Sequence, residues 1–358
     1  MTTPTQKHHI LIFGASYGSL LGIKMALAGH HVTLVCLPDE AKLINEHGAI
    51  VRTPVKGYAG LVELNSKKTP GSLDAKTPSE VNIQDYDLVG LAMQEPQYGS
   101  SGVRELLHAV ALSGKPCMSI MNMPPLPYLQ RIKSLKISEC LNAFTDPSVW
   151  QDFDPELMTL CSPDPQAFRP VDQPLNVLQV RLPTNFKVSE FKNPKYNEIL
   201  TDLESSIEAI QYSIDGIDYP LPVKLKVHPS LFVPLAKWAM LITGNYRCIL
   251  DTEMQSIKNA VHSNLAESQS IYQWVVDLCV SLGAEPSDMV PFEKYAQAAL
   301  GLESPSSAAR ALFAGAKNIE RVDRLVQSVA SSQGKNLDTL DLIVRRVDQR
   351  LKLNRSAS

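Results

Sequence analysis

Three stretches of this sequence hold residue types and spacings that can do chemistry. The first is Gly14-Ala-Ser-Tyr-Gly18-Ser-Leu-Leu-Gly22, a glycine-bearing turn that follows a short apolar run. Such a turn lets backbone N–H groups at a helix N-terminus approach a pyrophosphate, with Gly14 making the turn, Gly18 keeping side chains away and Gly22 seating the helix on a sheet. The contacts would come from Gly14, Ser16, Tyr17, Gly18 and Ser19. The spacing departs from G-x-G-x-x-G, because Ser16 stands at the second glycine position and the next glycine comes at 18. The second stretch is Leu-Ala-Lys237-Trp-Ala-Met-Leu-Ile-Thr-Gly-Asn245, a lysine in an apolar helix with an asparagine about two turns later. An ammonium held in a cleft can protonate and stabilise a developing alkoxide. On the helix pattern alone the plainer reading is a lysine that snorkels from a core helix to solvent. The third is Lys-Val-His228-Pro229, an imidazole with a near-neutral pKa suited to acid–base work, or simply a histidine at a helix entry before an N1 proline.

The elements that must position these residues are legible in outline. HILIF (9–13), the glycine turn, the helical stretch IKMALAGH and HVTLVC (31–36) form strand, turn, helix and strand within about 30 residues, the size of a βαβ unit. The second strand runs into Leu37-Pro-Asp39-Glu40. These acids come slightly late for ribose hydroxyls and no Arg accompanies them, so NAD and NADP both stay open; a solvated helix N-terminus explains the acids equally well. YDLVGLAM (86–93) and PCMSIMN (116–122), with VRELLHAVAL between them as a helix, read as strands buried on both faces of a parallel sheet. SECLNAF (138–144) and LNVLQVRL (175–182) are expected to continue it. Ligands of such sheets sit beyond the carboxyl ends of the strands, which puts Met93-Gln94 and Asn122 at the nicotinamide end. Eight prolines between 146 and 195 make that segment loop and extended strand. After 216 the chain turns helical, clearest where Ile319, Val322, Val326 and Val329, and then Leu340, Ile343, Val344, Val347 and Leu351, form stripes. The expected architecture is α/β: a Rossmann-type doubly wound parallel sheet over 1–216 and an all-α domain over 217–358, for substrate and dimerisation.

Composition bounds the function. The chain has 358 residues, 34 Lys+Arg against 37 Asp+Glu, and a net charge of −3, which argues against a nucleic-acid binder. Aromatics at 6% offer few stacking platforms for single strands. No apolar run reaches the ~18 residues of a membrane span, and the polar N-terminus does not read as a secretory signal. Six scattered cysteines without a CxxC pair suggest buried thiols rather than disulfides or metal ligands. The short basic run near the end, interleaved with Asp341 and Asp348, reads as a solvated helix face. A cytoplasmic protein without membrane, nucleic-acid or metal partners is expected.

Taken together, these residues resemble the ketopantoate reductase family of the 6-phosphogluconate-dehydrogenase-like superfamily, over most of the chain except the proline-rich segment. Ile10–Val35 resembles that family's cofactor unit. In LAMQEPQ, Gln94 stands where the family usually has Lys, and Gln97 matches. SIMNM resembles its Gln-Asn-Gly strand end and carries over Asn122. LAKWAMLITGN resembles the catalytic helix, with Lys237 at the lysine position, Leu241 replacing the first asparagine and Asn245 matching the second. PSSAARALFAGAKNIERVD resembles the substrate-holding segment; Ser306 and Ser307 match, Glu320 matches with a one-residue shift, and Ala311 replaces an Asp. The family's arginine for a 2′-phosphate falls at Leu37.

The resemblance implies an NAD(P)H-dependent reductase of a small 2-oxo acid working by hydride transfer in an interdomain cleft, and a homodimer. Its cofactor is NADP by family likeness, with NAD left open. Lys237, Asn122, Asn245 and Glu320 would be catalytic, Ser306 and Ser307 substrate-binding, and Gln94 and Gln97 near the cofactor. The departures at 94, 241 and 311 point to a substrate other than ketopantoate. The His228-Pro segment also resembles opine dehydrogenases, which join an amino acid to a 2-oxo acid reductively. A module that senses NAD(P)H without turnover is the third reading.

Overall fold

β1 (His9–Phe13) and β2 (His31–Val35) pair in parallel with α1 (Tyr17–Leu27) between them, so the N-terminal run does fold as a βαβ unit. The structure is a computed structural model that describes residues 6–356. After α2 (Pro38–His47) the strands are β3 (Ile50–Pro54), β4 (Leu61–Asn65), β5 (Ser72–Lys76) and β6 (Leu88–Leu91). α3 (Val103–Ser113) then leads to β7 (Cys117–Ile120). The later strands are β8 (Met158–Ser162), β9 (Gln166–Phe168), β10 (Val177–Leu182), β11 (Phe186–Ser189), β12 (Gln211–Ile214), β13 (Ile217–Pro220) and β14 (Leu225–His228).

The chain divides into two units. The first runs to Met93 and adds Ser100–Met121 and Gln151–Pro229; the second takes Gln94–Gly99, Asn122–Trp150 and the chain from Ser230 onward. The first unit centres on an eight-stranded sheet in the order β14-β11-β8-β7-β6-β1-β2-β5, parallel except where β11 meets β8. Its inner strands are apolar without alternation because both faces are covered: all of β6, β7 and β8 is buried. A second sheet, β4-β3-β10-β9, and the hairpin β12–β13 complete the unit. The helix Asn197–Glu208 lays Leu200, Leu203 and Ile207 into the same core as α1.

Two expected strands differ. LNVLQVRL is extended but belongs to the second sheet, beside β3 and β9. SECLNAF is a helical turn, Ile137–Cys140, followed by a 3₁₀ turn. Its buried residues are Cys140, Ala143 and Phe144, an i, i+3, i+4 spacing that is helical rather than that of a strand. The sheet continues instead with β8, in the proline-rich segment. The expected break at 216 falls within the β12–β13 hairpin, and the first unit keeps the chain until Pro229 because β14 joins the large sheet beside β11.

The second unit is helical, and among the described residues it contains no strand. Its longest helices are Leu265–Leu282 and Asp338–Ser356. The stripes read from the sequence are buried: Val322, Val326 and Val329 on Val322–Ser332, and Leu340 to Leu351 on the last helix. The stretch 234–248 is not one helix. A 3₁₀ turn at Pro234–Ala236 passes into α-helix at Lys237–Met240, π-helix at Leu241–Asn245 and 3₁₀ again at Tyr246–Cys248. Gly244 permits the π-turn: a Cβ there would lie 2.0 Å from the Tyr295 hydroxyl, which donates to the Met240 carbonyl at 3.1 Å. All six cysteines are buried thiols. No helix among the described residues is long and apolar enough to cross a membrane.

Candidate active site

In the first unit, the turn after β1 is shaped by Gly14, whose φ of +92° lies in the left-handed region. A Cβ there would meet the Ala92 carbonyl oxygen at 3.0 Å and the Met93 side chain at 3.1 Å, so the turn lies against the end of β6. Its N–H donates to the Val35 carbonyl at 2.8 Å, tying it to the end of β2 as well. Gly18 does the work expected of Gly22. A Cβ at Gly18 would touch Ile12 at 3.0 Å and one at Gly22 would touch Val32 and Leu73 at 3.2 Å, so both glycines seat α1 on the sheet. Ser16 is the N-cap residue of α1 and its side chain makes no capping bond. The Ser19 hydroxyl is buried and donates back to the Ala15 carbonyl at 2.6 Å, and the Tyr17 hydroxyl donates to the Pro165 carbonyl at 3.0 Å. What the turn offers an anion is backbone at the start of α1, behind a left-handed glycine that holds the approach bare. That arrangement fits a dinucleotide pyrophosphate.

The second unit gathers residues from five separate stretches. Glu320 lies in the loop before Val322–Ser332, and the backbone that leaves it is held by one phenol. The buried Tyr246 hydroxyl donates to the Glu320 carbonyl and accepts the Val322 N–H at 3.1 Å. The Glu320 carboxylate accepts the Glu95 N–H at 3.4 Å and the Asn122 amide at 3.5 Å. Burial pushes its pKa up to about 7; those two bonds and the positive charge of Lys237 pull the other way, and the charge of Glu95 adds to the rise. Lys237 is half-buried at the first turn of its α-helical segment, near enough to Glu320 for its charge to act there. The buried Asn122 Oδ1 has no hydrogen-bond partner among the described residues, an acceptor facing no donor of the protein.

Glu95 is the residue the sequence did not single out. It is buried at 2% exposure, accepts the Thr145 N–H and hydroxyl, each at 2.9 Å, and takes a further N–H from Asp146. An acid between two glutamines in a polar turn carries no pattern that marks it as buried.

The π-turn bears on Lys237 and Asn245. In an uninterrupted α-helix eight residues overshoot two turns by roughly 80°. A stretch of wider i→i+5 turns takes up part of that excess. Asn245 is half-buried, and its carbonyl accepts the Ser306 hydroxyl at 2.7 Å. Ser306 is thereby committed: the same oxygen accepts the Ala309 N–H as a helix cap, while Ser307 is exposed. Gln94 and Gln97 are exposed, the Gln97 side chain accepting the Gln94 N–H at 2.9 Å. His228 ends β14 in the first unit, and its carbonyl accepts the Glu190 N–H at 2.9 Å.

Solved structures share this architecture along the full chain. A 2-dehydropantoate 2-reductase from Methylococcus capsulatus superposes with a TM-score of 0.64 at 12% identity, covering 98% of both chains. D-mandelate dehydrogenase in its ternary complex with NADH and anilino(oxo)acetate superposes with a TM-score of 0.62 at 14% identity, over 97% of this chain and 99% of that one. This chain has the fold of the ketopantoate reductases. The dimeric ketopantoate reductase from Staphylococcus aureus gives a TM-score of 0.58 at 10% identity, over 97% and 99% of the two chains. No protein-family model matches the sequence, and neither does any curated protein sequence. The likeness therefore lies in the fold, which hosts oxidoreductases in all three of these structures.

Proposed function

We propose that the chain is a nicotinamide-dependent reductase of a small 2-oxo acid. The observation that carries this reading is the group of Lys237, Glu320, Glu95 and Asn122, in which burial holds a carboxyl at a pKa near 7 beside an ammonium. Structural likeness to two kinds of 2-oxo-acid/2-hydroxy-acid oxidoreductase supports it, as does the Gly14 turn.

A bound reduced nicotinamide would supply the hydride, with its pyrophosphate at the start of α1. The chain's own residues deal with the oxygen. As the carbonyl carbon gains hydride its oxygen becomes an alkoxide, and the Lys237 ammonium stabilises that charge and donates a proton to it. Glu320, protonated below about pH 7, would return a proton to Lys237. The Glu95 N–H and the Asn122 amide fix the carboxyl, and the partnerless Asn122 Oδ1 accepts a hydroxyl or ammonium hydrogen. NADP rather than NAD as the cofactor, and a homodimer, complete the proposal.

The test is to titrate the protein with NADPH and NADH and then follow nicotinamide absorbance over a panel of 2-oxo acids, with and without amino acids. Oxidation with a 2-oxo acid alone is expected. Oxidation only when an amine is also present would transfer the chemistry to reductive condensation and to His228. Cofactor binding with no turnover under any combination would leave a sensing module and overturn the reductase.

A further inference from the structure

The sequence places no arginine beside the end of β2, yet the fold brings one there from 129 residues away. Arg169 directly follows β9, and its guanidinium is hydrogen-bonded and ion-paired to Glu40 in the first turn of α2. Its charge is also felt at Cys36, the residue after β2. The segment is fastened just ahead of this contact. Pro165 accepts the Tyr17 hydroxyl at the start of α1, Asp164 pairs with Lys187 at 3.1 Å, and Gln166–Phe168 is laddered to β10. Arg169 is therefore carried by a sheet edge rather than by a free loop.

We propose that Arg169 is the residue that selects the 2′-phosphate form of the dinucleotide, with Glu40 positioning it. The inference rests on the dinucleotide reading above and adds the residue that would hold the 2′-phosphate. In a βαβ nucleotide site the adenosine ribose lies outside the carboxyl end of the second strand, and the side chain presented there decides between a 2′-hydroxyl and a 2′-phosphate. A carboxylate that binds a ribose diol must face outward. Glu40 does not: its side chain is 9% exposed and turned against the guanidinium, whereas the Arg169 side chain is 32% exposed. Among the described residues Glu40 is the one partner of Arg169, and it is engaged through one terminal nitrogen. A guanidinium has five N–H donors in a planar fork, so donors remain for a phosphate dianion. Asp39, on the same turn, opposes an anion, but it is exposed, where water and salt screen its charge.

The experiment uses the full-length protein and two fragments that carry only the adenosine end, adenosine 2′,5′-bisphosphate and AMP, measured by isothermal titration calorimetry beside NADPH and NADH. The wild type is expected to bind the bisphosphate at least roughly tenfold tighter than AMP. Arg169→Gln should abolish that preference and leave AMP affinity unchanged. Arg169→Lys, which keeps the charge and the pairing with Glu40, should fall between the two, and Glu40→Gln should keep the preference. A preference that survives in Arg169→Gln, or a wild type that binds the two fragments equally, would overturn the assignment and leave Arg169 an ion pair of the fold, visible only as a lower Tm. If Arg169→Gln does not fold, the wild-type preference and the Arg169→Lys variant still decide. Failure of the wider reading looks different: an Arg169-dependent preference without oxidation by any 2-oxo acid refutes the reductase and leaves this inference standing. Binding of neither fragment nor dinucleotide refutes both.

Discussion

The turn after β1 and the cluster around Glu320 are built in opposite ways. The turn is made of neighbours in sequence, and its features are bare backbone and close packing; its hydroxyls at Tyr17 and Ser19 are already bonded within the protein. The cluster draws Glu95, Asn122, Thr145, Lys237 and Glu320 from five places, and its features are charge and desolvation. Within the cluster the two acids differ again. Burial raises the pKa of Glu95 as well, and three donors, two of them at 2.9 Å, oppose that rise while tying it to a turn. Glu320 has two side-chain bonds, at 3.4 and 3.5 Å. The bonds that oppose burial are fewer and longer at Glu320, whose pKa reaches about 7.

Five substitutions sharpen that contrast. Lys237→Ala should have the largest effect, lowering kcat on the order of 10²–10⁴-fold with dinucleotide affinity unchanged; an unaltered kcat would remove the lysine from the chemistry. Gly244→Ala drives a Cβ into the Tyr295 hydroxyl and should cost about 3 kcal/mol in denaturant unfolding. Adding Tyr295→Phe should recover part of that loss, and strict additivity of the two changes would argue against the contact. Gly14→Ala, strained at φ +92° and close to the Ala92 carbonyl, should cost about 1–3 kcal/mol and weaken dinucleotide binding. Gly18→Ala tests packing alone and should leave affinity nearer to wild type.

Glu320→Gln is read best through pH. The folded pKa of Glu320 is raised, so the native state binds more protons than the unfolded chain between its ordinary value of 4.5 and about 7. Its contribution to stability is full below pH 4.5 and is lost as pH rises through about 7. Activity that uses the protonated carboxyl should fall over the same upper range. In Glu320→Gln both slopes should flatten; a pH–kcat profile with its inflection near 7 intact would assign that titration to another group.

Much of the first unit was legible because its signals are local. Gly14, the apolar bursts of β1, β2, β6 and β7, and the helices α1 and α3 are each set by a few adjacent residues. The second sheet was not legible, since Val177–Leu182 looks alike whether it borders β3 or the large sheet; the choice is made by a partner more than 100 residues away. Lys237, Asn122 and Glu320 could be named from their surroundings in the chain, but their meeting could not. The π-turn is equally hidden, because Leu-Ile-Thr-Gly-Asn reads as ordinary helix until the Tyr295 hydroxyl is placed against Gly244. Arg169 escaped for the same reason, as a single basic residue in a proline-rich segment.

The bond between Glu95 and Glu320 spans 225 positions, and that span has a consequence for the order of assembly. Residue 320 must leave the ribosome before this contact can form, and closing so long a loop makes its pairing a late event in folding. Until then Glu95 and Asn122 belong to a nascent chain whose glycine turn is already complete. A chain interrupted before residue 320 keeps every residue of that turn and lacks the acid on which the proposed chemistry depends. Truncation products should therefore separate nucleotide retention from turnover without any point mutation.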